Sequence, residues 1–389
     1  MSTATTNVRT SGSLTDQERR LPWYHLVLTG LAGLVLAAVV LAAADAFSLF
    51  SLLILGYVLH LVIAYLYSRL REGRRWALDR LVTMLVIGAF AVSMFPLLSL
   101  VWEVLHRGIP RLVGPHPTPF AFWARDMTGV IGGAYAGGVR HAAVGTLLIT
   151  LGASIISIPI GLLTSIFLVE YAQEGWKRVL ARGVTFLVDV MTGIPSIVAG
   201  LFGLALFLTF LPDDQSGTRI GIMGSVALSL LMIPTVVRSS EEMLRLVPME
   251  LREAAYALGV PKWLTIVRVV LRTAIAGLAT SVTLAIARVI GETAPLLLTV
   301  GMITKVNWNM FEGQMATLPT FIMDQYRKGS ATCRNDTVSD TYTGEVYECL
   351  ASANIDRAWA AALTLILIVM VLNLIARLIS HYFSPKLSR

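Results

Sequence analysis

The chain has 389 residues, of which 56% are hydrophobic and only 14% are charged, and its mean hydropathy is +0.72. Soluble domains carry about 25% charged residues, so this composition excludes an ordinary soluble enzyme, a disordered protein and a disulfide-stapled secreted scaffold. It predicts an integral membrane protein. The net charge of +7 then indicates basic cytoplasmic loops rather than a nucleic-acid partner, because lysine and arginine collect on that side of a membrane.

The predicted architecture is all-α, with about eight transmembrane helices. A helix needs about 20 mostly apolar residues to cross the hydrocarbon, and eight stretches meet that requirement. They are residues 24–43, 47–67, 81–104, 142–171, 184–211, 220–237, 266–300 and 359–379. The fourth and the seventh are too long for one straight crossing, so we expect tilt, a break or an interfacial turn in each. Asp45 alone marks the turn between the first two.

Lysine and arginine residues cluster in alternate connections between the predicted spans. They occupy the N-terminus, the second, fourth and sixth connections, and the C-terminus, which predicts that both termini lie in the cytoplasm. The short turn 213–217 and the polar insert 301–357 then face outward. The connection 106–141 is an exception to the pattern, since it also faces outward but carries four arginines.

The fifth predicted span carries a charge close to helix-breaking residues. Asp189 is followed by Thr192, Gly193, Pro195 and Ser196. This order predicts a broken helix whose freed backbone groups face a pore. An aspartate that bonds to neighbouring hydroxyl groups and so packs two helices together is an equal alternative.

A short amphipathic helix is predicted in the sixth connection, over residues 248–258. Its apolar residues recur mostly at three- and four-residue intervals, as on one face of a helix. Pro248 suits the first turn, and Gly259 suits the position just past the end. Two interpretations fit this spacing equally well. The helix either lies on the bilayer surface as a connection or inserts into a groove on a soluble partner.

The seventh predicted span contains Arg288 and Glu292. Residues four apart share one helical face, so we expect these two side chains within reach of each other. An arginine at this depth favours an oxyanion, because its guanidinium stays charged and offers paired donors. A carboxylate beside it would favour phosphate, which keeps a proton near neutral pH, over sulfate, which has none. A static ion pair between two spans is the alternative.

The two cysteines, Cys333 and Cys349, both fall in the polar insert. An extracytoplasmic position permits a disulfide, and a bond closing a loop of this size would stabilise the fold by about 3 kcal/mol. Two free thiols are the alternative. Because there are only two cysteines and the six histidines are scattered, we predict no metal site.

Three stretches of the chain resemble the PstA permeases of bacterial phosphate-specific ABC importers. They are residues 189–201, residues 246–263 with Glu253-Ala254-Ala255 and Gly259, and residues 285–297 with Arg288 and Gly291-Glu292-Thr293-Ala294-Pro295. The second stretch is similar to the EAA loop by which such permeases contact their ATPase. Arg272 stands where the EAA pattern has a proline. The likeness extends from about residue 81 to residue 380.

The resemblance implies a six-helix type I permease core at residues 76–389 and a two-helix extension at residues 1–75, which has no counterpart in the usual permease. Together with the residue patterns above, it assigns residues to two sites. The substrate path receives Arg288, Glu292, Asp189, Thr192 and Ser196. The ATPase-coupling loop, near residues 241–263, receives Arg252, Glu253, Ala254, Ala255 and Gly259.

The resemblance further implies the partners of the chain. They are a homologous second permease (PstC), two copies of an ATPase (PstB), an extracytoplasmic phosphate-binding protein (PstS), phosphate and membrane lipids, with no nucleic acid. The sequence contains no Gly-x-x-x-x-Gly-Lys-Ser/Thr motif, so ATP and Mg²⁺ are expected on the ATPase and the chain itself is expected to be non-catalytic. The implied activity is ATP-driven import of inorganic phosphate through the bacterial inner membrane.

Three other functions stay open from the residues themselves. A permease for another oxyanion, such as sulfate, molybdate or phosphonate, would need the same arginine. A proton-driven secondary transporter would use Glu292 and Asp189 as proton carriers. A membrane-embedded enzyme, such as a lipid phosphotransferase, would need a nucleophile and base that the sequence does not bring together.

Overall fold

The computed structural model describes residues 24–114, 120–130, 132–172, 175–210, 219–333, 336–339 and 346–383. This part of the chain is helical apart from one short β-hairpin, so the predicted all-α class is confirmed with that addition. Seven of its helices are long and apolar enough to cross a membrane, or eight if one sharply bent pair counts as a single span. The basic residues of the N-terminus, Lys386 and Arg389 at the C-terminus, and the turn 213–217 lie outside the described residues, whereas Arg377 belongs to the last helix.

The chain divides into two compact units between Val101 and Trp102. The first contains α1 (Tyr24–Ala43), α2 (Leu49–Arg71) and most of α3 (Arg74–Val113). In the hairpin of α1 and α2, a Cβ on Gly33 would lie 2.8 Å from the carbonyl oxygen of Gly56, so the glycine allows the two backbones to approach. Asp45 makes the turn, as predicted, with a left-handed φ of 48°.

The second unit contains the remaining elements. They are α4 (Ala121–Ala124), α5 (Arg140–Ile166), α6 (Gly175–Thr192), α7 (Ser196–Phe210), α8 (Gly221–Arg245), α9 (Met249–Ala257), α10 (Lys262–Thr265), α11 (Leu271–Val289), α12 (Ala294–Thr299), α13 (Leu318–Lys328), β1 (Thr337–Ser339), β2 (Val346–Glu348) and α14 (Ala353–Phe383). The π-helical turn Phe167–Tyr171 extends α5, and the π-helical turn Ile266–Val270 joins α10 to α11. The boundary predicted between residues 75 and 76 rests on homology and stays a prediction.

The long contact between α5 and α8, which run parallel to each other, forms the centre of this unit. Ile149 of α5 and Leu228 and Met232 of α8 are at most 1% exposed, and Val289 of α11 and Leu296 of α12 pack against them. Small residues bring the two helices close together. The hydroxyl of Ser225 on α8, for example, donates to the carbonyl oxygen of Ile149 at 3.0 Å. This packing holds the elements that carry the candidate site.

Several predicted spans have different ends in the structure, and the third and the seventh are described here. The third was expected to end at residue 104, but α3 continues to Val113, because a hydropathy criterion finds only the part of a helix that suits hydrocarbon. The seventh was expected to reach residue 300, but its helix ends at Val289 and the chain turns before α12 begins. Pro295 in the first turn of α12 lacks an N–H, which suits a helix start. The break expected in this span is therefore confirmed.

One end of the second unit, called here the disulfide side, is built around the bond between Cys333 and Cys349, whose Cα atoms are 5.7 Å apart. The strands β1 and β2 pair antiparallel beside the bond. The amide of Tyr135 donates to the carbonyl oxygen of Glu348 at 2.8 Å, so the segment before α5 joins the hairpin. Next to it, the side chain of Thr146 on α5 accepts a hydrogen bond from the amide of Leu318 at 2.8 Å.

Two of the four arginines in the 106–141 connection have structural contacts that account for their position. Arg111 belongs to α3, is 5% exposed, and donates to the carbonyl oxygens of Ala136 and Gly137 at 2.9 and 3.2 Å. Arg125 donates to the hydroxyl of Tyr347 at 2.7 Å. These two arginines fasten the segments of the disulfide side to one another, so their position follows from packing.

Candidate functional site

A cavity of about 230 Å³ unites four of the five residues assigned to the substrate path. Thr192 comes from the end of α6, Ser196 from the start of α7, and Arg288 and Glu292 from the end of α11 and the turn after it. Thr235, from the middle of α8, completes the polar lining. The cavity is smaller than the 300–1,000 Å³ of typical sites for drug-sized ligands, so its size suits a small ion.

The sharp bend between α6 and α7 forms one wall of this cavity. Pro195 has no N–H for a helical hydrogen bond, and it also disfavours a helical conformation at Ile194. As a result α6 ends at Thr192, α7 begins at Ser196, and the two helices meet at 107°. The broken helix predicted after Asp189 is confirmed. Since Ser196 is the first residue of α7, the positive end of that helix dipole lies at the cavity.

Arg288 is the cation of the cavity, and it is exposed. Its Nη1 atom lies 3.5 Å from the hydroxyl oxygen of Thr235, at the long limit of a hydrogen bond. Within the described residues the guanidinium forms no ion pair. Its paired donors are therefore available to a bound anion.

The expected contact between Arg288 and Glu292 is wrong. The side chains would meet only if the helix continued, but α11 ends at Val289. Glu292 lies in the turn that follows, and its amide donates to the carbonyl oxygen of Val289 at 3.0 Å. No ion pair joins Arg288 to Glu292 in the part of the chain that the structure describes. Both still line the same cavity.

Asp189 lies outside the cavity lining. Its carboxylate forms an ion pair with Arg238 of α8, and Arg238 also contacts Glu241 at 3.1 Å. Arg245 contacts the other oxygen of Glu241 at 2.6 Å. Neither a backbone-lined pore nor a bond to neighbouring hydroxyl groups accounts for Asp189 in this structure. Instead, it belongs to a row of charges that joins α6 to α8 about one helical turn away from the cavity.

The predicted amphipathic helix is confirmed as α9. It runs Met249–Ala257, with Pro248 immediately before it. Gly259 ends it in a left-handed conformation, with φ of 77°, and its amide donates to the carbonyl oxygen of Tyr256 at 2.9 Å. A residue with a Cβ would be strained at that φ. The end of the second unit that contains α9 is called here the coupling side, and it lies at the opposite end of α5 from the disulfide side.

The two faces of α9 divide the residues assigned to ATPase coupling. Glu253, Ala254 and Gly259 are exposed. Arg252 and Ala255, in contrast, are each 8% exposed and face the rest of the chain. The assignment of these two to a partner contact is therefore corrected, because the helix places them on its inner face.

Arg252 holds α9 in place. Its Nη2 atom lies 2.8 Å from the carboxylate of Glu170, in the π-helical turn that extends α5. Its guanidinium also donates to the carbonyl oxygens of Val247 at 2.7 Å and Leu244 at 3.1 Å. Both charged side chains are less than 10% exposed, so this is a buried ion pair that is supported by hydrogen bonds.

Sequence reasoning missed Glu170 and Thr235. Glu170 is the only charged residue in the predicted fourth span, so the rule that a charge inside a span indicates function could have identified it. Thr235 has no such signal, because it is one of many hydroxyl residues in the spans and gains its position only through packing. Among the described residues, no group of three or more histidine, cysteine, aspartate or glutamate side chains could hold a metal ion.

Comparison with known proteins gives one consistent result. Residues 157–389 match the family described as the binding-protein-dependent transport system inner membrane component. The phosphate transport system permease protein PstA 1 of Mycobacterium tuberculosis (strain CDC 1551 / Oshkosh) is 41% identical over 79% of this chain and 90% of its own length. The PstA protein of Mycobacterium leprae (strain TN) is 42% identical over 77% and 88%. The PstA protein of Yersinia pestis is 33% identical over 81% and 95%.

Proposed function

This chain belongs to the binding-protein-dependent transport system inner membrane components, and among them to the PstA permeases, and from that premise we propose that it carries inorganic phosphate into the cell as one half of the membrane path of an ATP-driven importer. As a member of this family it is a non-catalytic, multi-pass subunit of the inner membrane. The three relatives named above are phosphate transport permeases, which supports phosphate as the substrate.

The observation that carries the proposal is the cavity around Arg288. Its guanidinium, the hydroxyl group of Ser196 and the positive end of α7 supply donors around one small space. The hydroxyl groups of Thr192 and Thr235 also line this space, and each donates its proton to a carbonyl oxygen of its own helix. Glu292 adds a single acceptor. A hydrogen phosphate ion satisfies this set, because its oxygens accept from the donors and its remaining proton binds the carboxylate. An importer must also release its substrate, and Arg288 has no second cation beside it in the cavity lining.

The positions of the partners follow from the coupling side and the disulfide side. We assign the coupling side to the cytoplasm, because the basic connections lie there, and the disulfide side to the outside, where disulfides persist. Glu253 and Ala254 then face an ATPase (PstB) that binds ATP and Mg²⁺. A phosphate-binding protein (PstS) approaches the disulfide side, and a second permease (PstC) completes the path. ATP-driven closure of two ATPase copies moves α9, and alternating access to the cavity follows.

Replacement of Arg288 tests the proposal. In the assembled importer, Arg288→Gln should lower phosphate uptake about 10- to 100-fold, because a hydrogen bond from a charged group is worth about 1.5–3 kcal/mol. Arg288→Lys keeps the charge but lacks the planar guanidinium, so its phosphate uptake should lie between those of wild type and Arg288→Gln. Arg178→Gln removes an exposed arginine at the start of α6 and serves as the matched control.

The readout is uptake of labelled phosphate into proteoliposomes that contain the whole complex, with the amount of co-purified ATPase measured in parallel. Unchanged uptake by Arg288→Gln, with the complex intact, would contradict the proposal. Uptake that continues without ATP and collapses with the proton gradient would instead identify a secondary transporter.

Glu292 should set the preference for phosphate over sulfate. The Glu292→Gln variant replaces an obligate acceptor with a side chain that can also donate, so sulfate no longer leaves this half-buried acceptor unpaired. We expect sulfate to compete with phosphate uptake at least about tenfold better in this variant, a free-energy difference of about 1.4 kcal/mol. Equal competition in wild type and variant would remove Glu292 from the selectivity mechanism and leave the role of Arg288 unaffected.

A further inference from the structure

A second cavity, a groove of about 790 Å³, lies between α5 and α11 on the coupling side. Leu162 and Ile166 of α5 form one wall. The other wall is formed by α11 and the π-helical turn before it, where Arg268 and Arg272 are followed by apolar residues such as Ile275 and Leu278. The proposed transport cycle uses none of these residues.

The groove is polar at one end only. Arg268 and Arg272 are four residues apart, so they lie one above the other at the end nearest α9. From Arg272 to Val282 the wall is apolar over ten residues, a length of about 15 Å. A groove with two cations at one end and about 15 Å of apolar wall has the profile of an amphiphile with an anionic head.

The two arginines lack counter-charges. Both side chains are exposed, and in the described part of the chain neither forms an ion pair. Both lie in a helix apolar enough to cross a membrane, Lys262–Val289. Because both lie near the coupling-side end of that helix, their side chains can reach the headgroup layer, where lipid phosphates are the available partners.

The groove is separate from the Arg288 cavity. Arg272 and Arg288 are 16 residues apart on one continuous α-helix, which rotates them by about 160° relative to each other. The two arginines therefore face nearly opposite sides of α11. An anion that passes Arg288 does not reach the groove along this helix, so the basic end of the groove serves a ligand other than the transported one.

We propose that the groove binds one anionic phospholipid, with the headgroup phosphate between Arg268 and Arg272 and an acyl chain along Ile275 and Leu278. Guanidinium groups bind phosphate oxygens in pairs, and basic pockets between membrane helices on the cytoplasmic side suit anionic headgroups. Free inorganic phosphate could use the arginines but would leave the apolar wall uncovered. The lipid fits both ends of the groove, and the proposal does not depend on which anion the cavity transports.

The position of the groove predicts that a bound lipid affects the stability of the coupling side. It contacts both α5, which holds α9 through Glu170, and α11, which follows α9 through α10. A lipid bound between these helices therefore stabilises α5 and α11, the two elements that hold α9 in position. Anionic lipid is expected to raise the thermal stability of the permease in the complex.

The test measures lipid that stays with the protein. The whole importer is purified in mild detergent from membranes containing phosphatidylglycerol, and the bound lipid is extracted and quantified by mass spectrometry. The double variant Arg268→Gln with Arg272→Gln should lose phosphatidylglycerol about tenfold or more, because each charge-assisted contact is worth about a factor of ten. The control variant Lys177→Gln with Arg178→Gln removes two exposed charges from α6 and should keep it.

A second variant tests the apolar wall alone. Ile275→Trp fills the groove, leaves both arginines, and should also release the lipid. Elution as an intact complex with its ATPase shows that each variant has folded. The proposal is overturned if the arginine double variant and its α6 control lose equal amounts of lipid, or if neither the arginine double variant nor Ile275→Trp loses lipid. Displacement of the lipid from wild type by excess inorganic phosphate would also overturn it.

A protein occupant is tested with one thiol. Both native cysteines are in the disulfide, so Ile275→Cys introduces the only free thiol of the chain. The thiol is labelled with a maleimide that carries a photoreactive benzophenone. A lipid-filled groove predicts that illumination cross-links this group to lipid and not to another subunit. A cross-link from residue 275 to a second permease would assign the groove to a protein interface and overturn the lipid proposal.

Discussion

The guanidinium of Arg252 contacts three groups on the inner side of α9, namely the carboxylate of Glu170 and the carbonyl oxygens of Val247 and Leu244. An ion pair with this little exposure is costly to break, because the remaining charge stays buried without a partner. The pair therefore fixes a helix of nine residues that would be marginal alone. Its role is to position α9, while exposed residues of the same helix remain for a partner.

Removal of the buried carboxylate charge should loosen α9. For Glu170→Gln we expect a loss of about 3 kcal/mol in the free energy of unfolding, because the amide still accepts a hydrogen bond but leaves the charge of Arg252 uncompensated. The measurement is the thermal unfolding midpoint of the purified permease. Glu250→Gln, an exposed carboxylate on α9, is the control and should leave the midpoint unchanged. Equal midpoints for wild type and Glu170→Gln would contradict the positioning role.

Arg288 and Glu292 show what residue types reveal and what they leave out. A charge in an apolar span is visible in the sequence, so both members of the site could be identified there. Their separation could not be predicted, because it depends on where α11 ends. Pro295 is a local signal for a break nearby, but the path of the chain after the break depends on packing with distant residues. A Cβ on Gly200 of α7 would lie only 2.6 Å from the Cα atom of Pro295, so α7 holds the segment after the break in place.

The helix α9 has two faces with different tasks, although Ala254 and Ala255 are adjacent. Ala254 is exposed and Ala255 is 8% exposed. Sequence periodicity predicted the helix and its ends, because proline, glycine and apolar spacing are local signals. It grouped both alanines in one stripe, since which face turns inward depends on the contact of Arg252 with Glu170.

The two alanines should therefore respond differently to the same replacement. Ala254→Arg should leave the permease folded and reduce retention of the ATPase about tenfold, because it adds bulk and charge to the proposed contact surface. Ala255→Arg should lower the yield of folded permease, because it forces a charge into a packed interface. Pull-down of the ATPase and size-exclusion profiles separate the two outcomes. Identical behaviour of both variants would contradict the assigned faces.

The disulfide side depends on a bond that the sequence left open, with two free thiols as the alternative. The bond between Cys333 and Cys349 lies beside the backbone pairing of Tyr135 with Glu348. Replacement of both cysteines by serine should destabilise this region by about 3 kcal/mol, the value for a closed loop of this size. Hydrogen exchange should rise in residues 346–350 and stay constant in the centre of α8. Unchanged exchange at the hairpin would show that the arginines alone hold the region.

At the scale of the molecule, composition and charge sufficed to predict a multi-pass helical membrane protein, because those are sums over the whole chain. The assembly of the cavity from α6, α7, α8 and α11 could not be read in the same way. It depends on contacts between helices that are far apart in sequence. The local signals at Pro195 and Pro295 located the breaks, and only the packed structure showed that the breaks meet at one place.

The helix α5 is fastened at both of its ends. Thr146 accepts a hydrogen bond from the amide of Leu318 on the disulfide side, and Glu170 holds Arg252 on the coupling side. One helix, α5, thus connects the disulfide side to the coupling side. Thermodynamic linkage then requires reciprocity. If a nucleotide on the ATPase changes the affinity of the disulfide side for the phosphate-binding protein by some factor, that binding protein must change the nucleotide affinity of the ATPase by the same factor.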